Sequence, residues 1–340
     1  MRFGPVPVEE AVGALAAHTV RAGEAVVKKG SVVAPADAQR LKAAGIDSMV
    51  VVQLDPGDIG EDAAAERLAQ AVAGAGVRVD RPFTGRCNLF AETPGVLRVQ
   101  RDAVDRMNAV DEAITVATLP AFKSVVEGEM IGTVKIIPYA VPESALKQAL
   151  AAAGWHVILS IAPYVRRRVG VISTLLPGLK PSVVAKTIDV LNQRLAPTGA
   201  AVSDHRQVAH DADALTAALA QEARGDVELI VVFGASAIAD RRDVIPVALE
   251  EAGGEVDHFG MPVDPGNLLL IGSLDGKPVI GAPGCARSPK ENGFDWVLHR
   301  LLADVPVTRA DIQGLGVGGL LMEIVSRPQP RAGGTQEDEG

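Results

Sequence analysis

Apolar residues follow two rhythms along this chain, and the change between them predicts two kinds of architecture. In the first half the apolar pieces are short and broken by turn residues. Val20 to Val33 is interrupted by Arg21-Ala22-Gly23-Glu24 and by Lys28-Lys29-Gly30, which read as turns between strands. Pro35-Ala36-Asp37 opens a short helix ending at Gly45, and Met49 to Gln53 is a further strand. A helix is expected across Glu61 to Ala73. Residues 83–141 are rich in strand signals, broken at Thr93-Pro94-Gly95 and Glu127-Gly128-Glu129. Within them, Gly128 to Pro138 reads as the edge of a small β-barrel or sandwich. Pro142 to Ala153 is a predicted helix and Trp155 to Ala162 a predicted strand.

At Tyr164-Val165-Arg166-Arg167-Arg168 the rhythm changes. The three arginines read as a solvated linker, or alternatively as a phosphate clamp. Beyond them strand and helix alternate, as in a doubly wound parallel sheet. Val169 to Ser173 is the first strand. Pro181 to Ala196 is a helix whose Val184, Ile188, Leu191 and Leu195 recur at helical spacing, with Gly199 closing it. Asp211 and Asp213 open the next helix, where carboxylates suit the unpaired N–H groups. Leu268 to Gly272 and Val279 to Gly281 are strands joined at Asp275-Gly276, and Pro289 to Leu302 is the last predicted helix. The expected organisation is α/β: a β-rich α+β domain over 1–166, a doubly wound, mostly parallel α/β domain over 167–326, and a disordered tail over 327–340 rich in Pro, Gly, Asp and Glu.

The most informative stretch is 227–246, VELIVVFGASAIADRRDVIP. Val227 to Phe233 is an unbroken apolar run, as in a strand buried on both faces. It stops at Gly234-Ala235-Ser236-Ala237, where small side chains let a bound group approach the backbone. Asp240, Arg241, Arg242 and Asp243 follow, and Pro246 marks a helix start. Together these features describe an anion site at the carboxyl end of a parallel strand. Arg242 and the loop N–H groups suit a phosphate, and Asp243 suits Mg²⁺ or a polar ligand edge; as plain structure, Asp243 would cap the helix and Arg242 would be a surface charge.

This stretch resembles the Gly-Gly-Thr-Gly…Arg-Asp-Val-Thr-Pro signature of molybdopterin-binding proteins, the molybdopterin adenylyltransferases and molybdotransferases of molybdenum cofactor synthesis. The match is Gly234-Ala235-Ser236-Ala237…Arg242-Asp243-Val244-Ile245-Pro246, with two family glycines replaced by alanines, a loop one residue longer, and Ile245 in place of Thr. Two further loops are similar to molybdotransferase loops: Asp264-Pro265-Gly266-Asn267-Leu268, and Ile280-Gly281-Ala282-Pro283-Gly284-Cys285-Ala286-Arg287-Ser288-Pro289. The family's acidic Thr-Gly-Asp-Glu-Leu loop corresponds to Ser173-Thr174-Leu175-Leu176, without its acids. Thr174, Lys180 and Ser182 are still candidates for holding a phosphate, beside the reading of an ordinary loop. The N-terminal segment over 19–55 is more faintly similar to one that precedes the pterin domain of molybdotransferases.

The resemblance implies a protein of molybdenum cofactor biosynthesis that binds molybdopterin or its nucleotide-activated form. Its phosphate would lie on Gly234, Ala235 and Ser236 and on Pro283, Gly284, Arg287 and Ser288. Asp243, with Asp211, would hold Mg²⁺, and Asp243 and Arg242 would take part in any phosphoryl or nucleotidyl transfer or molybdate insertion. The family also implies a homodimer, and a nucleotidyltransferase or molybdenum hydroxylase as partner. The alternative is a non-catalytic carrier or maturation partner for a molybdenum hydroxylase, which the missing acids at Leu175-Leu176 favour.

Composition narrows the rest. A net charge of −9 argues against nucleic-acid binding. Cys87 and Cys285 are far apart and read as reduced thiols, Glu9 and Glu10 stand where a signal peptide would be basic, and no apolar stretch is long enough for a membrane span, so a cytoplasmic location is expected. His205 and His210, five apart with no third ligand, read as surface histidines. Ser236, Asp264 and His299 follow in hydrolase order, but Ile238 stands where a nucleophile elbow needs glycine. The dinucleotide fingerprint is absent.

Overall fold

A computed structural model describes residues 1–154 and 157–321 of the chain. It is a mixed α/β protein with a β-rich N-terminal part and a mostly parallel C-terminal sheet, as the apolar pattern predicts. Its internal contacts fall into two compact units, Met1–Pro163 and the remainder from Tyr164. The tail expected over 327–340 lies outside the described residues.

The first unit contains small antiparallel sheets. Arg2–Pro7, Ser48–Gln53 and Leu15–Ala16 form one, against which the helix Pro35–Ala43 buries Ala38 and Leu41. Ile114–Thr118, Met130–Ile136, Arg86–Ala91 and Val77–Val79 form another, in that order. The piece read as an edge is therefore central: Ile131, Val134 and Ile136 are fully buried, and their strand pairs with a neighbour on each side, Val134 opposite both Val116 and Cys87. The helix Arg101–Asn108 falls among the expected strands of 83–141. It buries only Ala103, Val104 and Met107, too short and polar a stripe to show in the apolar pattern.

In the second unit, β1 (Arg168–Leu175), β2 (Ala201–Ala209), β3 (Leu229–Phe233), β4 (Glu255–Phe259), β5 (Leu270–Leu274) and β6 (Lys277–Ala282) form one sheet. Its order is β2-β1-β3-β6-β5-β4, parallel from β2 to β6 and antiparallel over β5 and β4. β3 is buried along its whole length, which is why its sequence is uniformly apolar. The hairpin at Asp275-Gly276 is formed, with positive φ at both residues, and joins β5 to β6. The helices are α1 (Pro181–Leu195), α2 (Ala212–Arg224), α3 (Val244–Glu251), α4 (Gly293–Leu302) and α5 (Arg309–Gln313).

Two helix starts and one strand differ from the expected pattern, each for a local reason. Asp243 caps α3, so the helix starts at Val244 and Pro246 is its third residue, still within the turn whose N–H groups have no helical partner. α4 starts at Gly293 rather than Pro289, because Asn292 and Asp295 form a reciprocal capping box there. β2 was hidden by its polar character: as an edge strand it alternates exposed and half-buried residues over Ala201–Ala209.

The chain leaves β1 for β2 on one side and returns to β3 on the other. The strand order therefore reverses between β1 and β3, and in open α/β sheets ligands bind beyond the carboxyl ends of the strands at such a point.

Candidate functional site

Three loops meet at that reversal. Thr174, at the end of β1, is buried, and its Oγ1 accepts the Ala235 N–H at 2.8 Å. The bond ties the end of β1 to the loop after β3. Arg287, on the loop after β6, reaches across the end of β3 and donates from Nη2 to the Gly234 carbonyl at 2.8 Å. Its guanidinium lies 5.6 Å from the centre of the Phe233 ring. Thr174, Ala235 and Arg287 line a hollow of about 110 Å³ together with Ser173, Thr187 and apolar residues of α1.

Arg287 is half-buried, and burial pushes its pKa down. Among the described residues no carboxylate pairs with it, although buried cations are ordinarily paired. A half-buried guanidinium whose hydrogen bond goes to a neutral carbonyl retains donors for an anion.

A second, larger hollow of about 530 Å³ adjoins the first along the same loops. Asp264, Asn267, Pro283, Gly284, Cys285 and Ser288 are among its lining residues. Ala235 and Arg287 face the small hollow, while Ala237 and Ser288 face the large one. The large hollow is shaped by close backbone packing. A Cβ on Gly266 would lie 2.9 Å from the backbone of Gly293, and the Gly293 N–H donates to the Pro265 carbonyl at 2.9 Å. Cys285 lines this hollow, but burial pushes its thiol up, away from the reactive thiolate.

Gly234 is required by close approach. A Cβ there would lie 2.7 Å from the Ser236 carbonyl and 3.0 Å from Ile245 Cδ1. Gly234→Ala is expected to displace the loop, at a cost of roughly 1–3 kcal/mol, as overpacking usually does. A melting curve checks this, and an unchanged midpoint would show that the loop yields freely.

The remaining expected site residues lie elsewhere. Asp243 spends both carboxylate oxygens on backbone donors, Val244 N–H at 2.8 Å and Ala239 N–H at 3.1 Å. Asp211 caps α2 by accepting the Ala214 N–H at 2.9 Å. Arg242 is 90% exposed and paired with Asp240 at 2.7 Å. Lys180 is exposed at the start of α1. Among the described residues no group of three His, Cys, Asp or Glu is placed to hold a metal ion. Asp243 and Asp211 thus have the arrangement of helix caps, and the side chains present do not make a protein cage for Mg²⁺. Asp243→Ala should cost about 1 kcal/mol of stability through the lost cap. Asp243→Asn should fall between the two, because its NH₂ group would face an N–H donor. Equal melting points for all three proteins would remove the cap from the account.

Residues 170–303 match the family described as the probable molybdopterin binding domain. The hollows described above are built from residues of that domain. Residues 5–53 match a domain of unknown function, DUF8806. No curated protein matches the chain significantly. Among solved structures, a molybdopterin biosynthesis moea protein from Pyrococcus horikosii is 17% identical over 89% of this chain and 75% of its own, with a TM-score of 0.30, a likeness too loose to bear on fold or function.

Three residues within the matched domain are not legible as site residues in the sequence. Arg194, on α1, pairs with Asp295 at 2.6 Å and donates to the carbonyls of Ala286 at 2.9 Å and Ser288 at 2.6 Å, fixing the loop that carries Arg287. Its side chain is 7% exposed. The sequence carries a signal for it, since Arg194 stands next to Leu195 and three residues after Leu191 on the inner face of α1. His205 and His210, expected at the surface, face hydroxyl groups instead. His205 Nε2 meets Ser173 Oγ at 3.1 Å, and burial lowers its pKa. His210 follows β2 directly, donates its N–H to the Leu175 carbonyl, and lies beside Thr174.

Proposed function

We propose that this chain acts in molybdenum cofactor biosynthesis by binding molybdopterin or its nucleotide-activated form across the two hollows. The observation that carries the reading is Arg287, a half-buried guanidinium with no carboxylate partner among the described residues, inside a domain matched to a molybdopterin-binding family. The small hollow suits the terminal phosphate, and the large one has the volume of a small-molecule site. Arg287 supplies charge-assisted donors and Thr174 a hydroxyl; the free loop N–H groups near Ala235 complete the cradle. The loops after β3 and β6 are fixed before the ligand arrives, so little ordering is lost on binding.

Asp243 and Asp211 are engaged as helix caps rather than turned toward a shared cation. A cation carried by ligand phosphates and water is the form these surroundings suit. The same engagement, with Leu175 and Leu176 at the positions where the resembling family has acids, favours a second reading: a non-catalytic carrier delivering cofactor to a molybdenum hydroxylase. Both readings require binding.

The test is to purify the chain from a molybdenum-replete host, release bound pterin by oxidation and measure its fluorescence. Near-stoichiometric pterin supports the reading, and protein free of pterin opposes it. Turnover of the bound pterin on adding nucleotide or molybdate would distinguish a transferase from a carrier.

A further inference from the structure

Ser236, Asp264 and His299 follow in hydrolase order, but Ile238 stands where a nucleophile elbow needs glycine. The structure places Asp264 and His299 elsewhere: His299 is largely buried against the Tyr164 hydroxyl at 2.9 Å, and Asp264 lines the large hollow. It gives Ser236 a different histidine. Ser236 Oγ lies 2.9 Å from His210 Nε2, and His210 Nδ1 lies 2.8 Å from Thr174 Oγ1. Thr174 Oγ1 is already an acceptor for the Ala235 N–H. Three residues from three consecutive parts of the fold thus form one chain of hydrogen bonds, from the buried wall of the small hollow to exposed Ser236.

The protons along this chain have two arrangements while the imidazole is neutral. In one, Thr174 donates to Nδ1, and Nε2–H donates to Ser236. In the other, Nδ1–H donates to Thr174, and Ser236 donates to Nε2. The second leaves the Thr174 proton free to point at a ligand beside Arg287. An anion in the small hollow therefore favours it, and it is the arrangement in which the imidazole can take the serine proton. Next to Ser236 the N–H groups of Ser236, Ala237 and Ile238 meet no acceptor among the described residues, and Arg287 holds the carbonyl of Gly234 two residues before it. These are donors for the charge that develops on a phosphoryl group under attack.

We propose that Ser236, with His210 as its general base and Thr174 positioning the imidazole, is a nucleophile toward phosphate esters and anhydrides. Ser236 Oγ forms a bond to phosphorus as its proton passes to His210 Nε2. The bond from phosphorus to the leaving oxygen breaks, and the leaving group takes that proton. Water then attacks the phosphoseryl phosphorus, giving up a proton to Nε2; the bond from phosphorus to Ser236 Oγ breaks, Oγ takes that proton back from Nε2, and phosphate leaves. This activity goes beyond pterin binding and stands or falls without it.

The test is labelling of the purified chain with diisopropyl fluorophosphate, in which Ser236 Oγ would displace fluoride from phosphorus, followed by peptide mapping by mass spectrometry. The proposal expects Ser236 to be modified well ahead of the other exposed serines, and Ser236→Ala to lose that modification. His210→Gln keeps a polar group beside Ser236 but removes the base, and should slow labelling by about 100-fold, the lower range of a general-base contribution. Thr174→Val should slow it, and Thr174→Ser should restore it, which a purely structural role for the hydroxyl does not require. Circular dichroism and melting curves establish that each variant is folded. The proposal is overturned if Ser236 in the wild-type chain is unlabelled, labels no faster than other exposed serines, or labels as fast in folded His210→Gln.

Discussion

Arg194→Met should destabilise the second unit by roughly 3–5 kcal/mol, the usual cost of breaking a buried ion pair by removing one partner. Three effects combine in the same direction. Asp295, only 11% exposed at its side chain, loses its countercharge. The carbonyls of Ala286 and Ser288 lose their donors. The Phe294 ring loses a guanidinium at 5.8 Å. Arg194→Lys should recover only part of the loss, since an ammonium carries its donors on one nitrogen, whereas Arg194 reaches the carboxylate and the two carbonyls from Nε, Nη1 and Nη2 of a planar fork. Denaturant titration reads the difference. A loss below about 1 kcal/mol would mean that the loop is held by other contacts. Because Arg194 fixes the segment that bears Arg287, the variant should also bind ligand more weakly even where it remains folded.

Arg287→Met should separate stability from binding in the opposite sense. Arg287 is held half-buried without a carboxylate partner, and burial works against its charged form, so the folded chain carries the cost of a desolvated cation. Methionine fills the space beside Phe233 without that cost and gives up one hydrogen bond to the Gly234 carbonyl. The melting point should stay the same or rise. Affinity for a phosphate-bearing ligand should fall by about 10- to 100-fold, the equivalent of the roughly 1.5–3 kcal/mol in a hydrogen bond to a charged group. A marked drop in melting point would instead identify Arg287 as a structural pin between the ends of β3 and β6. Stability that rises as function is lost is the pattern expected of a binding site rather than a scaffold.

Much of the C-terminal sheet was legible because its strands are buried on both faces. β3 reads as Leu229–Phe233 with no polar interruption, and α1 shows its inner face at Val184, Leu191 and Leu195. Turn chemistry placed the hairpin at Asp275-Gly276. β2 was not legible, since an edge strand half exposed to solvent has no unbroken apolar run, and His210 disappeared with it. The pairing that brings His210 to Thr174 is a register between parallel strands, Leu175 opposite Ala209, and no local spacing encodes it. Arg194 failed to stand out because its partners, Asp295 and the loop after β6, are about a hundred positions away. The loops themselves were found from their glycines and prolines. Arg242 and Asp243 were grouped with them by proximity in sequence, yet local hydrogen bonding turns Arg242 to Asp240 and commits Asp243 to α3.

The central claim is that the small hollow at the carboxyl ends of β1 and β3 binds the anionic end of molybdopterin through Arg287. Calorimetric titration of molybdopterin into the wild-type chain and into Arg287→Met tests it most directly. The account predicts saturable binding to the wild type and an affinity lower by about 10- to 100-fold in the variant, with both proteins folded. Equal affinities, or no binding to the wild type, would contradict it.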